Sequence, residues 1–267
     1  MCFYQTHTKG GETVMTPDNS RNILNIPTEN VTMDEAVREV LDRIASGQPG
    51  YVVTLNPEIL YGCQKDPAVQ QAVRDATFIF PDGIGIVYAS KILKRPLKER
   101  VPGVELSENL LPEAVTRGYR LFILGGEPGV AEQAASKLTE KYPGLQVCGT
   151  SDGFFTDDDV LTAKITAAAP DILFVCLGAS LQERWMAAHI GRIPSGVMLG
   201  IGGSVDIYAG TVTRAPLFWR KLNLEWFYRV LSQPKRFGRI VVSLPSFLWA
   251  VLRQRRAERK AEKKPRD

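Results

Sequence analysis

Short apolar runs alternate along this chain with segments whose apolar positions recur at helical spacing. Asn30-Val-Thr-Met-Asp-Glu opens a helix that sets Ala36, Val37, Val40, Leu41 and Ile44 on one face. Gly50-Tyr-Val-Val-Thr-Leu55 reads as a buried strand. Pro57 then begins a helix, because proline suits the first helical turn. Asp66-Pro-Ala-Val opens another helix, and Thr77-Phe-Ile-Phe-Pro81 is a strand that ends at Asp82. The second half keeps the rhythm, with a strand over Tyr119–Leu124, the turn Gly125-Gly-Glu-Pro-Gly129 and a helix through Lys141. Leu145–Cys148 is a strand, Asp157-Asp-Asp-Val starts a helix, and Asp171–Leu177 is a strand. Gly178 turns into a helix carrying Gln182 and Trp185, and Val197–Ile201 leads to Gly202-Gly203-Ser204. Near-continuous apolar strands separated by helices imply an α/β fold, a mostly parallel sheet with helices on both faces.

The pattern sets the boundaries. Residues 1–21 are polar and read as a disordered leader, with Met15 as an alternative start to Met1. Residues 22–213 form the core. After Arg214-Ala-Pro the rhythm stops, and 214–267 reads as a helical appendage rich in aromatic and basic residues, ending in a basic tail. The length, 267 residues, suits one large domain with such an appendage. No early segment joins a basic start to an apolar run, so no signal peptide is expected. Cys2, Cys63, Cys148 and Cys176 are scattered without metal-ligand or disulfide spacing. They read as small buried hydrophobes or free thiols, in a reducing cytoplasm.

Charge changes the picture more than composition does. From Arg229 onward twelve basic residues face three acidic ones, while the whole chain carries only +4, so the rest of the chain is net acidic. A basic tail on an acidic body points to an anionic partner, nucleic acid or an anionic membrane surface. Phe237–Leu252 is mainly apolar but shorter than the ~20 residues a spanning helix needs. With Phe247, Leu248, Trp249 and Leu252 followed by Arg253-Gln-Arg-Arg, it suits an interfacial helix backed by a polybasic segment. Nucleic-acid binding rests on the tail alone, and none is expected.

Ligands of open α/β sheets collect at strand carboxyl ends. The unusual polar and glycine positions fall there: Thr54 and Asn56, Asp82, Gly125-Gly126, Gln182, and Gly202-Gly203 with Asp206. Asp82 is a candidate general base, or the cap of a helix beginning at Gly83. Gly125-Gly126 can turn backbone N–H groups toward a phosphate, or be a plain tight turn. It lacks the G-x-G-x-x-G spacing, which disfavours a dinucleotide-binding oxidoreductase. Asp157-Asp-Asp159 allows a divalent ion, though acids in a first helical turn answer to the macrodipole. His189 reads as structural. No metal and no cofactor are expected. Arg229, Arg236 and Arg239 are candidate phosphate ligands on one helical face.

At this point the chain resembles the WecG/TagA/CpsF glycosyltransferases, from about Asn22 to Arg239. The matching runs include Thr54-Leu-Asn-Pro-Glu, Phe80-Pro-Asp-Gly-Ile-Gly, Arg100-Val-Pro-Gly-Val-Glu-Leu, Leu124-Gly-Gly, Gly153-Phe-Phe, Leu177-Gly-Ala-Ser-Leu-Gln-Glu, Gly200-Ile-Gly-Gly-Ser-Val-Asp, Arg214-Ala-Pro and Leu224-Glu-Trp-Phe-Tyr-Arg. The resemblance implies a Rossmann-like core and an inverting, metal-independent transferase with a membrane-associating appendage. Its donor would be a UDP-sugar and its acceptor polyprenyl-diphosphate-linked, in wall teichoic acid or related polysaccharide synthesis. The nearest branch transfers N-acetylmannosamine to undecaprenyl-diphosphate N-acetylglucosamine. UDP-N-acetylmannosaminuronic acid, UDP-glucose and UDP-glucuronate are alternative donors. The resemblance puts the catalytic carboxylate at Asp82, active-site roles at Thr54, Asn56 and Gln182, and the appendage arginines at Arg229, Arg236 and Arg239. Ser180-Leu181 stands where many relatives carry Pro-Lys or Pro-Arg. The expected location is cytoplasmic, peripheral on the inner face of the membrane; a homo-oligomer stays open.

Overall fold

A computed structural model describes the backbone of residues 4–9, 12–17, 19–193, 196–222, 224–232 and 234–262. Among these, the side chains of 4–17, 221 and 229–241 fall outside the description. Two short hairpins come first, β1 (Tyr4–Lys9) with β2 (Glu12–Pro17) and β3 (Ser20–Ile23) with β4 (Ile26–Glu29). Residues expected as a leader without elements are thus paired. Thr-rich alternation on either side of Gly10-Gly11 is a hairpin pattern. Ile23 and Ile26, which flank the turn of the second hairpin, are fully buried.

Six parallel strands form the sheet: β5 (Gly50–Leu55), β6 (Phe78–Pro81), β7 (Arg120–Gly125), β8 (Gln146–Ser151), β9 (Ile172–Cys176) and β10 (Val197–Gly200). Their order is β6-β5-β10-β9-β7-β8. Alternate side chains enter two cores. Val52, Leu121 and Ile123 lie in one, and Val53, Phe122 and Leu124 in the other. Burial on both faces is why these strands, apart from the half-exposed edge strand β8, are apolar at almost every position.

Helices α1 (Met33–Ala45), α5 (Gly103–Arg117), α6 (Val130–Lys141) and α9 (Ser204–Ala209) cover the first face. Thr32 and Glu35 form a capping box at the start of α1, satisfying backbone donors reciprocally. The second face carries α2 (Pro57–Lys65), α3 (Pro67–Arg74), α4 (Ile84–Ile92), α7 (Asp158–Ala168) and α8 (Leu181–His189). The C-terminal segment forms α10 (Leu217–Lys221), α11 (Glu225–Ser232) and α12 (Pro234–Glu262).

Helix α12 lies against α2 and α4. Its Phe247 and Val251 are buried in the second core, so Phe247 is a packing residue and not the interfacial one expected from the sequence. Leu248, Trp249 and Leu252 are exposed, as an interfacial face requires. Beyond them α12 stays tied to the body. Leu24 N donates to Gln254 Oε1 (3.1 Å), and Arg95 pairs with Glu258 (3.1 Å). Arg255 is buried beside Glu262 (3.2 Å), so it is not one of the outward cations of the tail. Among the described residues no helix is long and apolar enough to cross a membrane.

Candidate active site

The carboxyl ends of β5, β6 and β10 open into a cleft of about 390 Å³, roofed by the start of α4, by α11 and by α12. Asn56, Asp82, Arg100 and Ser204 supply polar groups to its wall. Ile84, Tyr88, Trp226 and Leu244 supply much of the apolar remainder.

The strand ends fix Asp82. Its backbone N–H donates to Leu55 O (2.7 Å), and Pro81 O accepts from Val101 N (2.6 Å), which draws the Arg100–Gly103 turn to the same rim. The cap position of α4 is Gly83, at φ +87°, with no side-chain cap, so the capping reading of Asp82 does not describe this helix start. Asn56 does cap a helix. Its Oδ1 accepts from Ile59 N (3.0 Å) with Pro57 at the first position, while the residue also lines the cleft. Thr54 lies beneath the floor, buried, and donates to Gly200 O (2.9 Å), tying β5 to the end of β10.

Gln182 is buried and stands behind the wall. Its Oε1 accepts from Gly202 N (3.0 Å) and its Nε2 donates to Glu183 Oε1 (2.8 Å). It thereby holds the turn that carries Ile201 and Ser204 into the cleft. Gly202, Gly203 and Asp206 belong to that turn and to α9 but are not among the lining residues. Gly125 and Gly126 also lie apart. Gly125 ends β7, two strands beyond β10, or roughly 10 Å along the sheet. Packing demands glycine there, since at φ +124° a Cβ would sit 2.3 Å from Cys176 O.

The three acids at the start of α7 are engaged. Asp157 caps the helix, accepting from Asp159 N and Val160 N. Asp158 accepts from Trp185 Nε1 (2.9 Å) and faces His189 Nε2 (2.9 Å), and Asp159 pairs with Arg192 (2.6 Å). His189, buried and stacked on Trp185, is structural. Burial pushes the Cys63 and Cys176 thiols up to about 12, as expected of inert core cysteines.

Arg229 lies on α11, and Arg236 and Arg239 on α12. Their side chains fall outside the described residues. Pro234 begins a new helix, so the three do not share one helical face.

Several lining residues had no role in the sequence reading: Arg100, Tyr88, Ser204, Glu225 and Trp226. Arg100 had a usable signal. It sits just before α5, where a cation opposes the macrodipole, and pairs with Glu105 (3.4 Å). Glu105 and Glu108 also hold Arg214 (2.6 and 2.9 Å), which secures the entry to the appendage.

Glu183 gives a test of this scaffold. Burial pushes its carboxyl up to about 7, against hydrogen bonds from Gln182 and Ser180 that lower it. The folded-state value thus exceeds the ordinary one of 4.5. The stabilisation it brings is full below that ordinary value and is lost as pH rises through about 7. Glu183→Gln is expected to flatten this fall. Thermal melts between about pH 5 and 8 should show wild type losing ground to the variant toward the alkaline end. Parallel melting curves would show that Glu183 does not titrate in that range.

A parallel α/β sheet with a carboxylate-bearing cleft at its strand ends defines an α/β enzyme, and the sequence comparisons make it a glycosyltransferase. The chain belongs to the glycosyl transferase WecG/TagA/CpsF family, whose profile matches residues 21–261. It is similar to the N-acetylglucosaminyldiphosphoundecaprenol N-acetyl-beta-D-mannosaminyltransferase of Bacillus spizizenii, at 37% identity over 210 residues, 79% of this chain and 81% of that one. It is also similar to the protein of the same name from Staphylococcus aureus strain MW2, at 35% identity over 243 residues, 90% and 95% of the two chains.

Proposed function

We propose that the protein transfers N-acetylmannosamine from a UDP-sugar to N-acetylglucosamine carried on undecaprenyl diphosphate, with inversion at the anomeric carbon. The observation that carries this reading is the cleft that Asp82 shares with Asn56 and Arg100, in a chain similar over most of its length to transferases of that name. Asp82 takes the proton from an acceptor hydroxyl as its oxygen attacks the anomeric carbon, and UDP leaves from the opposite side. Negative charge grows on the departing diphosphate. Arg100 on the cleft wall and the appendage arginines stabilise it. Gln182 and Thr54 act on this site through the turns they hold. The polymer served is wall teichoic acid or a related surface polysaccharide, and the enzyme works peripherally on the cytoplasmic face of the membrane.

The test is a donor panel with a short-chain diphosphate acceptor: UDP-N-acetylmannosamine, UDP-N-acetylmannosaminuronic acid, UDP-glucose and UDP-glucuronate. N-acetylmannosamine transfer with inverted linkage is expected. Use of another hexose corrects the donor, and no transfer from any UDP-sugar sinks the reading. Activity is expected to survive EDTA, because Asp157, Asp158 and Asp159 are already committed to the α7 cap, Trp185, His189 and Arg192.

A further inference from the structure

The cleft's apolar lining on α4 and α12 continues along both helices onto the surface. On α4, Ile84 and Tyr88 are one turn apart and both line the cleft; Tyr88 is 56% exposed. On α12, Leu244 lines the cleft, and Leu248 and Leu252 repeat it at successive turns, 48% and 42% exposed. The two helices leave the cleft in the same sense. A Cβ on Gly85 would lie 3.7 Å from Phe247 near the cleft, and Arg95, just past α4, pairs with Glu258 far along α12. The leucine row therefore extends about 12 Å outward from the cleft on the helix that flanks Tyr88. An apolar row starting beside a carboxylate and an arginine fits a molecule with a polar diphosphate-sugar head and a hydrocarbon tail. A soluble sugar nucleotide has no such tail.

The geometry points to the Ile84–Tyr88 and Leu244–Leu248–Leu252 rows as the seat of the first isoprene units of the acceptor's lipid carrier. This rests on the lipid-linked acceptor proposed above and adds where its chain runs. The row selects acceptors by their chain, separately from any contact of the protein with a bilayer. It also orients the sugar, since the diphosphate between chain and sugar must then lie at the cleft mouth.

The experiment compares two acceptor analogues in aqueous solution without vesicles or micelles. Both carry N-acetylglucosamine on diphosphate, one with a farnesyl chain and one with a propyl chain. Wild type is expected to favour the farnesyl compound by about tenfold in kcat/KM, the effect of burying roughly two methylene groups. In the Leu248→Ser, Leu252→Ser double variant that ratio should fall close to one. The ratio is taken within each variant, so a general loss of activity cancels. Trp249→Ser, on the neighbouring exposed strip of α12, should keep the wild-type ratio. Equal kcat/KM for both analogues in wild type overturns the inference alone, as does a ratio unchanged in the double variant or equally lost with Trp249→Ser. No transfer to either analogue sinks the acceptor reading and this inference with it.

Discussion

Asp82→Asn is expected to slow sugar transfer by about 10²–10⁴-fold, the range a positioned general base contributes. The substitution is nearly isosteric. Two backbone bonds at this strand end, Asp82 N to Leu55 O and Val101 N to Pro81 O, are independent of the side chain and remain in the variant. Gly83, not Asp82, occupies the cap position of α4, so the helix start should survive. Loss of rate should therefore appear in kcat at saturating donor, while calorimetric titration with UDP gives an affinity close to that of wild type. Near wild-type turnover would remove Asp82 from the role. Loss of UDP binding in parallel with rate would make it a binding residue instead of a base.

The sheet was legible because every central strand is buried on both faces and leaves an unbroken apolar run. Helix α5 was not read from the sequence. It has no side-chain cap and carries Pro112 in its interior, and both features argue locally against a helix. Packing of Val104, Leu106, Leu110 and Leu111 into the first core overrides them. Helix α12 likewise continues through Pro245, a residue that locally argues against a helix interior. The rim residues were legible as strand ends, but sheet order is not written in local pattern. Nothing near Gly125 says that β9 and β10 separate it from β5, so one rim in the sequence became a cleft around Asn56 and Asp82 with the glycine turn outside it. Trp226 and Leu244 reach the cleft only because the chain returns over it after residue 214, a long-range contact that no short motif encodes.

That return also decides how the basic tail should be tested. Removing residues 253–267 would cut the Gln254–Leu24 and Arg95–Glu258 ties as well as the charges, and α12, which lines the cleft through Ser243 and Leu244, would be loosened with them. Replacing only the outward cations separates the two effects. Arg253, Arg256, Arg259 and Lys260 are exposed, whereas Arg255 is turned inward to Glu258 and Glu262. At ~1 kcal/mol per basic residue near an anionic surface, changing these four to Gln should weaken binding by about 10³-fold. The readout is partition onto vesicles rich in anionic lipid at physiological salt, with neutral vesicles as reference. Transfer to the propyl-chain acceptor in solution should stay near wild type, because Gln254, Arg255 and Glu258 still hold α12 in place. The wild-type partition should itself weaken as salt rises, since exposed charges are screened within about 8 Å at physiological ionic strength. If the quadruple variant binds the anionic vesicles as well as wild type, the tail is only a solvated helix end. The exposed Leu217, Phe218 and Trp249 would then have to hold the enzyme at the bilayer.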